Sequence, residues 1–477
     1  MTKKWIGLFL LTALLAALIF IGCNTFGRGS SSGITLTIGD SRQLRLSGTP
    51  RGDVNWTSSD PGVATVCENG IVTAVGVSGG TGNRFKSTPA TGAAVISASG
   101  GARQSFSINT TTSAIVDIMD LPPMKDQFAQ YFMIGNIFNP RDARTASEIN
   151  NEFLVHHYNM LTTENDMKPE HLARTARGTY NFATADRLVN AAIASGMKVH
   201  GHTLLWHNQI PQWQRDMANA GREAALAAMR QYITDVAGHF SGRLHSWDVL
   251  NEAFQNGVSA DADWRQVMRV ARDGQVANPW YVAIGADFVY EGFLAARRAD
   301  PNAILYYNDY NTDSLGKMTM IRNMVRDVND RYRREHPNDS RLLIEGVGLQ
   351  EHHNTSTLVQ NVRRSIDMLR PLGVIISITE IDILGQSWGE FSSVGSGTNR
   401  DDRSSVTNRG ILEQARLYGE LMALYIENAD IIERVSFWGV TDNSSWRSAG
   451  LPLLFDHNDR AKPSYYSVIN ALNRSNN

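Results

Sequence analysis

Two glutamates stand at the ends of apolar segments that have the pattern of β-strands. Glu252 closes the segment that begins at Leu244, and Glu380 closes the segment that begins at Val374. Burial disfavours the charged form of a carboxylate, so a carboxylate at the end of a buried strand is costly unless its neighbours manage its pKa. Such positions are usually functional, although a structural ion pair is the alternative for either glutamate alone. Two carboxylates from different strands of one barrel suit a general acid and a nucleophile, the pair that cleaves a glycosidic bond.

The elements that position these glutamates alternate between strand and helix from about Leu121 onward. Eight apolar segments of strand type, separated by helix-like stretches, predict an α/β fold, a (β/α)8 TIM barrel over residues 121–477. Catalytic side chains of such barrels lie on the loops that follow the strands. The eight segments are 132–136, 159–163, 198–202, 244–250, 303–307, 344–349, 374–379 and 434–438.

A different pattern precedes the barrel. A Gly/Ser-rich linker over 23–33 leads into short segments of alternating polarity, which predict a small all-β sandwich over 34–112. The motif from Val54 to Val66, followed by Asn69 to Val75, resembles bacterial group 2 immunoglobulin-like domains. We expect this domain to act as a spacer, with carbohydrate binding as the alternative. The six segments are 34–38, 43–46, 54–57, 63–66, 71–75 and 94–98.

The first 22 residues have the features of an export signal. Two lysines precede an apolar run from Trp5 to Ile21, and the ending Ile21-Gly22-Cys23 resembles a bacterial lipoprotein signal. This resemblance implies an exported protein that is anchored to a membrane by a lipid on Cys23 and faces the cell surface or periplasm. An uncleaved membrane anchor is the alternative, and a Cys23–Cys67 disulfide stays open if Cys23 carries no lipid.

The composition limits the partners. The 477 residues carry a formal net charge of −2 with acidic and basic side chains mixed throughout. No basic stripe is present, so we do not expect a nucleic-acid partner. A hydrophobic content of 42% is ordinary for a soluble globular chain with two or three domains.

Seven motifs, each at the end of a predicted strand, make the C-terminal part specific. The motifs are Thr163-Glu-Asn-Asp-Met-Lys168, Gly201-His-Thr-Leu-Leu-Trp-His-Asn-Gln209, Trp247-Asp-Val-Leu-Asn-Glu252, Tyr307-Asn-Asp-Tyr-Asn311, Gly348-Leu-Gln-Glu-His352, Thr379-Glu-Ile-Asp382 and Phe437-Trp-Gly-Val-Thr-Asp442 with Ser445-Trp-Arg447. With these motifs the chain from about Leu121 onward resembles family 10 glycoside hydrolases, which are typically endo-β-1,4-xylanases.

The resemblance implies a role for each glutamate. Glu252 is expected to be the acid/base and Glu380 the nucleophile of a retaining double displacement, with their carboxyl groups about 5 to 5.5 Å apart. Glu380 and Asp382 share one side of a strand, where His352 could bridge them and help to hold Glu380 ionised. Glu252 needs the opposite, so we expect repulsion and partial burial to keep it protonated.

The family also implies the side chains that bind sugar. Asn251 is placed on the 2-hydroxyl in the minus-one subsite. Since xylose lacks the hydroxymethyl group of glucose, crowding by Gln209 and Trp446 at minus two would favour xylan over cellulose. The remaining contacts are Gln350, Lys168, His202, Trp206 and Trp438 around minus one, and Glu164, Asn165 and again Lys168 at minus two.

Other interpretations of these residues remain open. His200, His202 and His207 could suggest zinc, but neither an HExxH motif nor a cysteine cluster accompanies them. Trp206, Trp438 and Trp446 could belong to the core.

We therefore expect a monomeric, retaining endo-β-1,4-xylanase that acts on xylan and xylo-oligosaccharides without a metal or organic cofactor. The alternatives are an enzyme that acts on β-1,4-glucan or cellulose, one that releases short products, or a xylan-binding surface protein without turnover.

Overall fold

A computed structural model describes residues 33–37, 41–47, 50, 52–60, 63–66, 70–74, 91–100, 103–111, 118–138, 152–272, 275–393 and 406–474. The predicted signal over 1–22, almost all of the linker over 23–33, Cys23 and Cys67 lie outside these residues. No helix within the described ranges is long and apolar enough to cross a membrane.

The described residues of the N-terminal part form seven strands in two sheets. The four-stranded sheet has the order β1-β7-β6-β3, and the three-stranded sheet has the order β2-β5-β4. Leu36, Val72, Ile96 and Ile108 are among the side chains of a hydrophobic core that this part of the chain forms by itself. The predicted all-β domain is therefore present, with one strand, β7, that the sequence patterns did not indicate. The strands are β1 (Ile34–Thr37), β2 (Ser41–Gln43), β3 (Val54–Ser58), β4 (Ala64–Val66), β5 (Ile71–Ala74), β6 (Thr91–Gly100) and β7 (Gln104–Thr111).

Eight parallel strands close into a barrel in the C-terminal part. The ladder runs β8-β9-β10-β11-β14-β15-β17-β18, and β18 pairs with β8 to complete the circle. This closure confirms the predicted (β/α)8 barrel. The strands of this part are β8 (Met133–Phe138), β9 (Met160–Thr163), β10 (Lys198–Leu205), β11 (Ser246–Asn251), β12 (Ala271–Arg272), β13 (Gln275–Val276), β14 (Ile304–Asp309), β15 (Gly346–Leu349), β16 (His352–His353), β17 (Ile375–Ile383) and β18 (Ile432–Phe437).

Helices connect the barrel strands and bury one face each. In α10, for example, Val362, Ile366 and Leu369 are buried and recur every three or four residues, as the helical period requires. The helices are α1 (Met124–Gln127), α2 (Glu152–His157), α3 (Pro169–Leu172), α4 (Ala183–Ala194), α5 (Gln212–Asp216), α6 (Arg222–Phe240), α7 (Pro279–Ile284), α8 (Asp287–Ala299), α9 (Leu315–Glu335), α10 (Val359–Leu369), α11 (Trp388–Ser393), α12 (Asn408–Glu427) and α13 (Pro463–Arg474). Five short 3-10 helices lie at 118–120, 217–219, 264–266, 370–372 and 448–450.

One expected strand end is wrong. Glu380 does not terminate its strand, because β17 continues to Ile383. The short strand β16 pairs with Asp382 and Ile383 and so prolongs the ladder past the glutamate. Glu252, in contrast, follows β11 directly, and its φ of 54° turns the chain out of the sheet.

Candidate active site

Glu252 directly follows β11 and Glu380 lies within β17, and both glutamates are largely buried. The side chain of Glu252 is 13% exposed, and Glu380 is 5% exposed as a whole residue. The backbone N–H of Glu252 donates to the carbonyl oxygen of Asn308 at 2.8 Å. The side-chain amide of the same Asn308 donates to Oε1 of Glu380, also at 2.8 Å. Asn308, near the C-terminal end of β14, therefore contacts Glu252 through its backbone and Glu380 through its side chain.

A chain of four hydrogen bonds connects the two carboxylates. Gln350 Nε2 donates to Oε1 of Glu252 and to Oδ1 of Asn251, at 3.1 Å each. Asn308 Nδ2 donates to the same Asn251 oxygen at 3.1 Å and to Glu380. All three amide side chains are buried. The predicted support residues Asn251 and Gln350 thus lie between the glutamates, and they hold both acids in one shared network.

His352 bridges Glu380 and Asp382, as expected from the two-residue spacing along the strand. Its Nε2 lies 3.2 Å from Glu380 Oε2, and its Nδ1 lies 3.1 Å from Asp382 Oδ1. Burial alone would lower the pKa of His352, but Asp382 and Glu380 outweigh it and raise the pKa to about 9. His352 is therefore a cation at neutral pH, and it faces both carboxylates.

Asp382 is held in its charged form by Arg447 as well as by His352. Burial raises the pKa of Asp382, but the Arg447 guanidinium and His352 outweigh burial and bring the pKa below its usual range. Arg447 Nη1 forms a buried ion pair with Asp382 Oδ1, and Trp446 Nε1 donates to Asp382 Oδ2 at 2.9 Å. Asp382 thereby fixes both His352 and the side chains that follow β18.

The surroundings of Glu252 favour its charged form rather than the protonated form expected from the sequence. Burial raises the pKa of Glu252, but His207, hydrogen bonds from Gln350 and Trp206, and the charge of Lys317 together bring it below its usual range. His207 Nε2 lies 3.7 Å from Glu252 Oε2. The prediction that repulsion and burial keep this carboxyl protonated is therefore wrong, because donors and cations surround it and favour its charged form.

The predicted walls of the minus-one subsite come together beside the glutamates. The His202 ring lies edge-on to Trp438 at 5.5 Å between centroids and tilted against Trp206 at 6.3 Å. Lys168 Nζ lies 4.8 Å from the Trp206 ring centroid. Trp438 is buried, which agrees with the interpretation that it belongs to the core, whereas Trp206 is only partly buried.

The residues predicted for the minus-two sugar fall into two groups. Asn165 Oδ1 accepts from Lys168 Nζ at 3.0 Å and from Gln209 Nε2 at 3.2 Å. Glu164 precedes Asn165, is partly buried and follows β9 directly. Trp446 belongs instead to the Asp382 side, with its ring 5.2 Å from that of His352. The crowding of this subsite by Gln209 and Trp446 remains a prediction.

The three histidines considered for zinc are engaged elsewhere. Both His200 Nε2, at 3.0 Å, and His202 Nδ1, at 2.8 Å, contact Asp248 Oδ2. Burial and the charge of Arg434 lower the pKa of His200 to about 4. Across the described ranges no group of three or more His, Cys, Asp and Glu side chains has the spacing that a metal ion needs.

Sequence reasoning missed three residues of the site. Asn308 and Arg447 lie within the quoted motifs, but no role was assigned to them, and His207 was considered only as a metal ligand. Their partners are 72, 65 and 45 residues away along the chain, counting Glu380, Asp382 and Glu252 respectively. A signal existed for each, since all three follow or end barrel strands, where functional side chains collect.

Comparison with known proteins agrees with this geometry. Residues 123–471 match the family model described as Glycosyl hydrolase family 10. The Endo-1,4-beta-xylanase of Geobacillus stearothermophilus is 33% identical over 362 residues, which cover 73% of this chain and 98% of that protein. The Endo-1,4-beta-xylanase A of Thermotoga maritima is 32% identical over 383 residues, which cover 75% of this chain but only 32% of that longer protein.

A solved structure extends the similarity to the N-terminal domain. The crystal structure of a bacterial Ig-like domain containing GH10 xylanase from termite gut is 50% identical and has a TM-score of 0.76. The similarity covers 93% of this chain and 99% of that one. From the family match across the barrel, the chain belongs to glycosyl hydrolase family 10.

Proposed function

We propose that this protein is a retaining endo-β-1,4-xylanase that hydrolyses internal bonds of xylan. The observation that carries the proposal is the hydrogen-bonded chain from Glu252 through Gln350, Asn251 and Asn308 to Glu380. It holds two carboxylates from different barrel strands in one buried network, as a two-carboxylate glycosidase requires. The similar proteins of Thermotoga maritima and Geobacillus stearothermophilus are named endo-1,4-beta-xylanases.

In the first step Glu380 attacks the anomeric carbon. The carbon–oxygen bond to the leaving sugar breaks, Glu252 delivers its proton to that oxygen, and a covalent glycosyl-enzyme forms. Asn308 and His352 orient the attacking carboxylate from two sides. Asn251, which is held by Gln350 and Asn308, is positioned for the 2-hydroxyl, where a contact that strengthens in the transition state lowers the barrier.

In the second step Glu252 takes a proton from water, and the oxygen of that water displaces Glu380 from the anomeric carbon. The surroundings of Glu252 suit this base role, because His207 and Lys317 favour its carboxylate form. For the first step the carboxyl must be protonated. A bound sugar excludes water from Glu252 and thereby raises its pKa, which supplies the acid at the stage that needs it.

Selection of xylan over glucan follows from the subsite on the non-reducing side. Gln209 and Trp446 would occupy the space that the hydroxymethyl group of glucose needs. Because one small group costs only a few kcal/mol to exclude, the preference should be partial. An enzyme that cleaves mixed-linkage glucan or cellulose is the competing function within the same chemistry.

The remaining features of the proposal concern the whole chain. The protein is exported, carries a lipid on Cys23 and acts at a membrane surface as a monomer, with the N-terminal sandwich as a spacer. The support is the sequence of the first 23 residues, whose apolar run ends at a cysteine. Mass spectrometry of the N-terminal peptide after export would find an acylated Cys23, and an unmodified Cys23 would reject the lipid anchor.

Product analysis on arabinoxylan tests the function. Wild-type protein should release a series of xylo-oligosaccharides, Glu380→Gln should release none, and equal concentrations of barley glucan should be cleaved more slowly. Absence of hydrolysis by the wild type would reject the enzyme, and equal rates on the two polymers would reject the argument from Gln209 and Trp446. Release of one short product without an oligosaccharide series would reject internal cleavage.

A further inference from the structure

Two exposed tryptophans distinguish one side of the barrel mouth. Of the nine tryptophans among the described residues, only Trp388 and Trp446 are exposed, at 56% and 49%. Trp388 begins α11, shortly after the strand that carries Glu380. Exposure of a large apolar ring has a hydrophobic cost, and rings grouped in this way mark binding surfaces.

A single guanidinium braces both rings. The Arg447 Cζ atom lies 5.6 Å from the ring centroid of Trp388 and 5.7 Å from that of Trp446, within the range of cation–π attraction. Phe391, one helical turn after Trp388, packs against it with 5.6 Å between ring centroids. The Trp388 ring is thus supported on its protein side while more than half of its surface faces solvent.

The brace connects these rings with the catalytic centre. Arg447 forms a buried ion pair with Asp382, and its Nη2 donates to the backbone oxygen of His353 at 3.2 Å. Asp382 in turn contacts His352, which contacts Glu380. Trp388 is therefore connected to His352 by three contacts: the cation–π contact with Arg447, the ion pair of Arg447 with Asp382, and the contact of Asp382 with His352.

We propose that Trp388 forms an additional subsite in which its indole face stacks on a pyranose ring of the xylan chain beyond the minus-one and minus-two sugars. This inference rests on the proposed function. A β-1,4-linked xylose ring has no hydroxymethyl arm and offers a flat C–H face, which suits an exposed indole. A polymer that fills the cleft must continue past its mouth, where the exposed rings of Trp446 and Trp388 both contact the buried Arg447.

We do not expect the positive charge of Arg447 to bind an acidic sugar. Both terminal nitrogens of the guanidinium have partners, the carboxylate of Asp382 and the backbone of His353. The recognition that remains is the apolar ring face. The ligand is accordingly a neutral pyranose ring of the main chain.

Binding measurements in the inactive Glu380→Gln background test the subsite. Isothermal titration with xylohexaose and xylobiose should show that Trp388→Ala weakens xylohexaose binding by about threefold to tenfold, the range expected for one aromatic stacking contact. Xylobiose, which is too short to reach Trp388 from the two central subsites, should bind unchanged. Trp388→Phe should retain most of the affinity, and Ile193→Ala, which removes an exposed apolar side chain on α4, should have no effect.

The contrary outcomes distinguish failure of the Trp388 subsite from failure of the proposed function. Equal losses for both sugars would show a structural effect and overturn the subsite, and so would unchanged binding of xylohexaose. If Glu380→Gln protein with Trp388 intact bound neither sugar while wild type failed to cleave xylan, the proposed function itself would fall, and the subsite with it.

Discussion

His352 and Glu380 form a charge-assisted contact, with His352 Nε2 3.2 Å from Glu380 Oε2. The other ring nitrogen of His352 faces Asp382, so the imidazole is positive between two acids at neutral pH. The carboxylate of Glu380, the proposed nucleophile, is therefore oriented by a cation whose charge depends on pH.

We predict that the free energy of unfolding decreases at alkaline pH, because His352 loses its positive charge there. The folded pKa of His352, about 9, lies above the ordinary value of 6.5. Its contribution is thus fully present below pH 6.5 and is lost as the pH rises through 9. This difference between the folded and the ordinary pKa of His352 corresponds to about 3 kcal/mol of folding free energy.

Urea unfolding between pH 6 and 10 should show this loss for wild type and a flatter profile for His352→Gln. Replacing the exposed His457 by Gln should not flatten it, and parallel profiles for wild type and His352→Gln would contradict the prediction.

A second prediction concerns the acid/base. His207→Asn removes an imidazole 3.7 Å from Glu252 that helps to lower the pKa of that carboxyl. The pKa of Glu252 should rise, so the acid stays protonated to higher pH. The alkaline limb of kcat/KM for an aryl xylobioside should move upward in pH. A limb that stays in place, or moves downward, would show that His207 does not act on Glu252.

Asn308→Ala should impair the chemical step more than substrate binding. The mutation removes a donor to Glu380 at 2.8 Å and one to Asn251, while Asn308 itself is fully buried beneath the cleft. Hydrogen bonds to charged groups contribute about 1.5–3 kcal/mol, so kcat should fall about 10- to 100-fold with KM nearly unchanged.

The matched control for Asn308 is Asn329→Ala. Asn329 is also buried, and its side chain bonds the backbone of Ile344, away from the glutamates. This control should lower the unfolding midpoint without a comparable loss of kcat. Equal effects of the two substitutions on kcat would assign Asn308 a purely structural role.

Glu351 stands between the two supports of the site, Gln350 and His352, with a φ of 61°. Its buried carboxylate contacts His353 Nε2 at 2.7 Å and accepts from the Tyr425 hydroxyl at 3.0 Å. Loss of one partner of a buried pair is costly, so Glu351→Gln should lower the free energy of unfolding, measured by urea titration, by about 3 kcal/mol.

The control is Glu427→Gln, which breaks an exposed pair with Arg363. It should lower the free energy of unfolding by less than about 1 kcal/mol in the same titration. Similar costs for both would contradict this.

The barrel and the two glutamates could be predicted because they depend on local patterns. Apolar segments spaced by helices indicate the strands, and the two-residue spacing of Glu380 and Asp382 puts both side chains on one face, where His352 meets them. Contacts across the sheet were less accessible. The role of Asn308 depends on the register between β11 and β14, and the pKa of Glu252 depends on side chains that converge from separate loops. No local pattern encodes either relationship.

The central claim, that Glu380 is the nucleophile and Glu252 the acid/base, is tested most directly by trapping the covalent intermediate. A 2-deoxy-2-fluoro xylobioside with an activated leaving group slows both steps, but it slows the second more than the first, so the glycosyl-enzyme accumulates. Mass spectrometry of the digested protein should find the sugar on the peptide that contains Glu380. Attachment to Glu252, or turnover with inversion and no attached sugar, would contradict the account.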